Sequence, residues 1–102
     1  MGNMVRVAAV SDVLPGQGRV VKTDGIEIAL FNVDGAFHAI GNVCRHRGGP
    51  LGEGSLDGSV VTCPWHGWEY DVTTGATLAN PALNVPVYRT EVDGDDVLVE
   101  LP

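Results

Sequence analysis

Cys44-Arg45-His46, answered sixteen residues later by Cys63-Pro64-Trp65-His66, is the pair of stretches on which the reading of this chain turns. The two segments hold both cysteines and two of the three histidines. Each mixes one thiol with one imidazole, as C-x-H and C-x-x-H. Thiolate suits zinc and iron–sulfur clusters, while imidazole suits zinc, iron and copper. The residues alone therefore leave two readings. One is a structural zinc site, which takes Cys₂His₂ sets tetrahedrally. The other is a [2Fe–2S] centre in which two histidines replace two cysteines on one iron.

The surrounding sequence bears on the choice. A zinc finger carries its histidine pair on a helix, downstream of a pair of cysteines. Here each pair mixes Cys with His, and no 3.6-residue period follows either one. What recurs is Asp-Gly, at 24–25, 34–35, 57–58 and 93–94. Between apolar runs this dipeptide is the strongest short hairpin signal, because a type I′ turn needs positive φ at both central residues. The predicted strands are 5–10, 19–23, 26–33, 36–40, a short piece at 55–56, then 59–62, 68–72, 87–92 and 97–101. Residues 11–16 (Ser-Asp-Val-Leu-Pro-Gly) read as a turn or a single helical turn, since Pro15 and Gly16 stop propagation. Short Val- and Ile-rich strands at this spacing predict an all-β antiparallel sandwich or barrel, with no helix beyond a turn or two. Residues 51–62 contain their own hairpin, so the two Cys/His loops can return to one end of the sheet.

Composition bounds the rest. At 102 residues the chain reads as a single domain, 1–102. Six Lys and Arg against thirteen Asp and Glu give a formal charge of −7. Nucleic acid and anionic membrane both demand a basic footprint, so neither is expected as a partner. A basic patch on another protein suits the chain better. There is no apolar run of transmembrane length and no secretory pattern at the start, which makes the reducing cytoplasm the expected location. With only two cysteines, each closely followed by a histidine, metal binding is a better reading than a disulfide. The acidic residues of the last hairpin (Glu91, Asp93, Asp95, Asp96, Glu100) read as a charged edge that resists aggregation.

At this point the motifs carry a family resemblance. C-R-H with C-P-W-H-G-W-E-Y-D closely resembles the Rieske motif. RGGPLGEG after the first loop, DVTTG after the second, and PALNVPVY further on resemble the small soluble Rieske ferredoxins over almost the whole chain. The resemblance implies three stacked antiparallel sheets, with a [2Fe–2S] cluster at the tip of a cluster-binding subdomain running from about 42 to 80. It also implies the ligands: Cys44 and Cys63 on one iron, His46 and His66 on the outer iron. Histidine ligation makes the oxidised centre neutral rather than doubly negative, which eases reduction into a window of about −150 to +300 mV.

Comparison with the high-potential respiratory members narrows the expectation. Those members place a serine after the second loop's His-Gly and a tyrosine two residues further on, both bonding to sulfur. Here the positions are Trp68 and Tyr70; the serine hydroxyl is lost, and Tyr70 is either retained in that role or turned away. A potential toward the low end is expected. The two extra cysteines that bridge the loops in the respiratory members are absent, leaving the loops to glycines (Gly48, Gly49, Gly67) and prolines (Pro50, Pro64). Once the cluster is served only His38 remains, too few for the 2-His-1-carboxylate site of an oxygenase catalytic domain. His38 reads as structural or exposed, and Trp68 as core or as part of a docking collar with Trp65.

The function implied is that of a one-electron carrier, not an enzyme, between a flavin-dependent NAD(P)H reductase and a terminal oxygenase or another redox enzyme. The small subunit of an NAD(P)H nitrite reductase is the alternative, because CPWHGWEYDVTTG resembles that group about equally. A structural zinc-binding interaction module is the alternative from a different class.

Overall fold

Four Asp-Gly turns organise the chain into hairpins, though not all in the same way. The computed structural model describes residues 3–45, 48–65 and 67–101. Among the described residues ten strands appear: β1 (Asn3–Ala9), β2 (Gly18–Thr23), β3 (Ile26–Val33), β4 (Ala36–Gly41), β5 (Ser55–Asp57), β6 (Val60–Thr62), β7 (Glu69–Asp71), β8 (Val87–Tyr88), β9 (Thr90–Asp93) and β10 (Asp96–Leu101). Asp24-Gly25 and Asp34-Gly35 have positive φ at both residues, as a type I′ turn requires. The other two differ from expectation. Asp57 pairs with Val60, and Asp93 with Asp96, so each aspartate closes its strand. Gly58 and Gly94 then take the first central position at positive φ, the type II′ pattern.

The strands form three antiparallel sheets: β1-β10-β9, β2-β3-β4-β8 and β5-β6-β7. The expected all-β, three-sheet arrangement is what the chain adopts. The only helical pieces among the described residues are short 3₁₀ turns at Val10–Asp12 and Leu51–Glu53. One expectation is corrected. The run 87–92 is not one strand but two, because the chain changes sheets at Arg89: β8 pairs with β4, and β9 pairs with β10. The Arg89 carbonyl is not stranded by the switch; it accepts the Glu100 N–H at 2.8 Å.

The four-stranded sheet is central, and β3 shows why. Ile28, Ala29, Leu30 and Phe31 are all fully buried. Ile28 and Leu30 pack with Val97, Val99 and Leu101 of β10 in one core. Ala29 and Phe31 face the opposite way, into a second core with Val61, Tyr70, Val72, Cys44 and Cys63. A strand buried on both faces reads as a continuous apolar run rather than an alternating one. Each large side chain so buried contributes roughly 1.5–3 kcal/mol. A one-residue slip would exchange the two sets, so both cores fix the register. β10 alternates strictly between half-buried and buried, as a strand with one covered face should. Its neighbour β9 is the acidic edge, with Glu91 and Asp93 exposed.

A candidate metal centre at the meeting of two cysteine loops

The second core is where the two motif segments meet. The first loop leaves β4 at Gly41. Asn42, only 2% exposed, then fixes its departure. The Asn42 side-chain amide donates to Glu27 Oε1 at 3.1 Å, and its Oδ1 accepts the Gly52 N–H at 2.7 Å. Its carbonyl accepts the Leu51 N–H at 2.8 Å, and a bridge between Val43 and Pro50 closes the base of the loop. The second loop links β6 to β7 and starts at Cys63 directly after Thr62.

The two loops share one backbone frame. In the first, the Gly48 N–H reaches the Cys44 carbonyl at 2.8 Å, and the Cys44 N–H reaches the Gly49 carbonyl at 3.0 Å. In the second, the Gly67 N–H reaches the Cys63 carbonyl at 3.1 Å, and the Cys63 N–H reaches the Trp68 carbonyl at 2.7 Å. Gly48 and Gly67 occupy equivalent places with φ of +77° and +78°, a region that disfavours any residue with a Cβ. The loops touch at Gly49. A Cβ there would stand 2.7 Å from Cys63 Sγ and 3.0 Å from the Trp65 ring, so only glycine admits this approach.

Both cysteines are 3% exposed and form no disulfide. Tyr70, fully buried on β7, shares the second core with both cysteines. Its Oη accepts the Arg45 N–H at 2.9 Å and lies 3.3 Å from Cys44 Sγ. Either group can donate across that contact while Cys44 is a thiol; once it is a thiolate the sulfur can only accept, and the hydroxyl is the donor. Burial first, and then the bond to Cys44, hold the Tyr70 hydroxyl well above the usual tyrosine range. It therefore stays a protonated donor at any physiological pH. The open alternative for Tyr70 closes here: its hydroxyl is on the sulfur, not turned away.

His46 and His66 lie outside the described residues, as does Arg47. His38 is half-exposed on β4, opposite Phe31 in register. Trp68 packs its half-buried ring against the second core, whereas Trp65 is 56% exposed beside Gly49. Two features escaped the sequence reading. Asn42 gave no signal beyond being a polar residue next to a motif. The segment 75–86, containing Pro81 and Pro86, folds back as a third loop whose Arg45 contact no local pattern announces: Arg45 Nη1 donates to the Asn84 carbonyl at 3.1 Å. A cavity of about 310 Å³ separates this third loop (Thr77, Ala79, Asn80, Leu83) from Gly67, Trp68 and Glu69.

Comparison with known proteins decides between the metal readings. The Rieske [2Fe-2S] domain family matches residues 3–89. This chain belongs to that family. The Rieske chain is 36% identical over 102 residues to the 3-phenylpropionate/cinnamic acid dioxygenase ferredoxin subunit of Escherichia coli (strain K12), covering 98% of this chain and 95% of that protein. Among solved structures it matches a chain in the complex of reduced oxygenase and oxidized ferredoxin of carbazole 1,9a-dioxygenase. That match has a TM-score of 0.86 at 35% identity, over 95% of this chain and 92% of the other. It also matches a chain from Mycobacterium tuberculosis assigned as an NADH-dependent nitrite reductase small subunit, with a TM-score of 0.91 at 28% identity, over 100% and 97% of the two chains. The cofactor of the Rieske domain is a [2Fe–2S] cluster, and the described residues fit it. Two buried thiols, a hydroxyl within hydrogen-bond reach of one of them that can donate to a thiolate, and a glycine cleared of any side chain beside the other make a site for anionic sulfur. The structural zinc reading is set aside.

Proposed function

We propose that this Rieske protein is a one-electron carrier that accepts electrons from a flavin-dependent NAD(P)H reductase and delivers them to a terminal oxygenase. The observation that carries the proposal is the nearly end-to-end match to a dioxygenase ferredoxin subunit. When bound, the cluster supplies a one-electron couple; the protein binds, tunes and presents it and makes or breaks no substrate bond. In this reading Cys44 and Cys63 hold the inner iron, and His46 and His66 the outer. The shared frame of the two cysteine loops supports that assignment, since it presents one thiol from each loop in the same way. Residues from about 42 to 80 make up the cluster-binding subdomain, with β5, β6 and β7 as its sheet. Tyr70 steadies Cys44 by hydrogen bonding. The acidic surface suits partners that dock through basic patches, and the work belongs in the cytoplasm, where NAD(P)H is the reductant.

The test is reconstitution. Protein purified without air should contain iron and acid-labile sulfide, and its reduced form should give the electron paramagnetic resonance of a histidine-ligated [2Fe–2S] centre. It should also couple NADH oxidation by a flavoprotein reductase to turnover of an oxygenase. Zinc without iron in that preparation would refute the proposal. The nitrite reductase reading keeps a specific support, the TM-score of 0.91 with the M. tuberculosis chain. Isolation of the native protein bound to a sirohaem enzyme would replace the oxygenase with that partner.

A further inference from the structure

Arg45 occupies the middle position of C-R-H, a place where the ligand pattern makes no demand on the side chain. Its surroundings make one. The backbone N–H of Arg45 is bound by Tyr70 Oη, so the start of its side chain is fixed. The guanidinium then crosses to the third loop and donates to the Asn84 carbonyl at 3.1 Å. That loop is closed internally: the Thr77 N–H binds the Leu83 carbonyl, the Leu83 N–H binds the Asn80 carbonyl, and Ala76 and Asn84 form a bridge. At its root it is tied to β7 through Leu78 N–H to the Glu69 carbonyl and through the Tyr70–Thr77 bridge. Toward the second cysteine loop it faces the cavity of about 310 Å³ rather than a packed wall. Its far end is seated too, with Val85 buried in the second core and the Pro86 carbonyl accepting the Gly41 N–H at 2.8 Å; between these anchors the loop has the cavity on one side and the Arg45 side chain on its Asn84 carbonyl.

We propose that Arg45 is a positioning residue of the cluster site. It clamps the third loop to the first cysteine loop and keeps a permanent positive charge at the rim of the centre. The proposal rests on the electron-carrier reading and adds a residue that the ligand pattern does not require. Arginine suits the task because its planar fork spans from a fixed backbone to a distant carbonyl, and it cannot lose its charge. A cation near the centre favours the form with the extra electron, so its removal lowers the reduction potential.

Three proteins test this: the parent, Arg45→Gln and Arg45→Lys, each as the cluster-loaded form. Hydrogen exchange read by mass spectrometry on peptides covering 76–86 reports the clamp. In both variants this segment should exchange about fivefold faster, the weight of one solvent-exposed hydrogen bond, while peptides covering β3 stay at the parent rate. A redox titration followed by circular dichroism reports the charge. In Arg45→Gln the reduction equilibrium constant should fall by roughly threefold to tenfold, the upper end being about 59 mV for one electron. Arg45→Lys should hold the parent potential, because it keeps the charge. Exchange at 76–86 equal to the parent's in both variants overturns the clamp. A parent-like potential in Arg45→Gln overturns the electrostatic role. Should the isolated protein prove to hold zinc, the carrier reading fails, while the exchange measurement still decides the clamp.

Discussion

Replacing Tyr70 with Phe removes one oxygen from the floor of the site, and the structure allows its consequences to be worked through. That oxygen makes two contacts, 2.9 Å from the Arg45 nitrogen and 3.3 Å from Cys44 Sγ. Phenylalanine fills the same fully buried ring position, so the second core keeps its apolar packing. The Arg45 N–H loses its partner, at a cost of about 1–3 kcal/mol. The bond to sulfur is a charge-assisted one when Cys44 is a thiolate, and its loss costs about 1.5–3 kcal/mol in either redox state. What moves the potential is the difference between the states. The sulfur is more negative after reduction, so the hydroxyl holds the reduced form more tightly. If that difference is about a third to a half of the bond, it amounts to about 1 kcal/mol. At 1.4 kcal/mol and 59 mV per tenfold, the potential of Tyr70→Phe should lie about 40 mV below the parent. Redox titration at fixed pH and ionic strength reads it directly. A potential equal to or above the parent's, in a variant with full iron content, would refute the view that Tyr70 donates to Cys44.

Three other outcomes are expected. Gly49→Ala drives a methyl group to within 2.7 Å of Cys63 Sγ and against the Trp65 ring, so iron and sulfide content should fall to a small fraction of the parent's while far-ultraviolet circular dichroism stays close to it. Asn42→Ala leaves the buried Gly52 N–H without its acceptor; a loss of about 2 kcal/mol should appear as a fall of roughly 8–16 °C in Tm. Cys44→Ser and Cys63→Ser should each abolish the visible absorption of the cluster, and His46→Ala should come close to doing so.

The hairpins were readable because their information is local. Asp24-Gly25 and Asp34-Gly35 state both the turn and the strands on either side. The same dipeptide misled by one residue at 57 and 93, because a hairpin offers glycine two positions at positive φ and only pairing chooses between them. The switch of sheets at Arg89 was hidden for a related reason: an uninterrupted β-prone run does not say with which neighbours its two halves pair. At the site, the thiol and imidazole spacing marked the two cysteine loops that the structure brings together. Asn42 and Arg45 stayed silent because their partners are Glu27, the Gly52 N–H and the Asn84 carbonyl, which lie ten to thirty-nine residues away and are in part backbone groups that sequence does not mark.

The matching frames of the two cysteine loops have a chemical consequence. Each loop is closed by amide hydrogen bonds from glycine and cysteine, with no covalent bridge that a reductant could open. Thiols and dithionite therefore meet a frame with no disulfide to open. The shape of the two loops is written in peptide hydrogen bonds, so strong reductants have no covalent joint in this housing to cut.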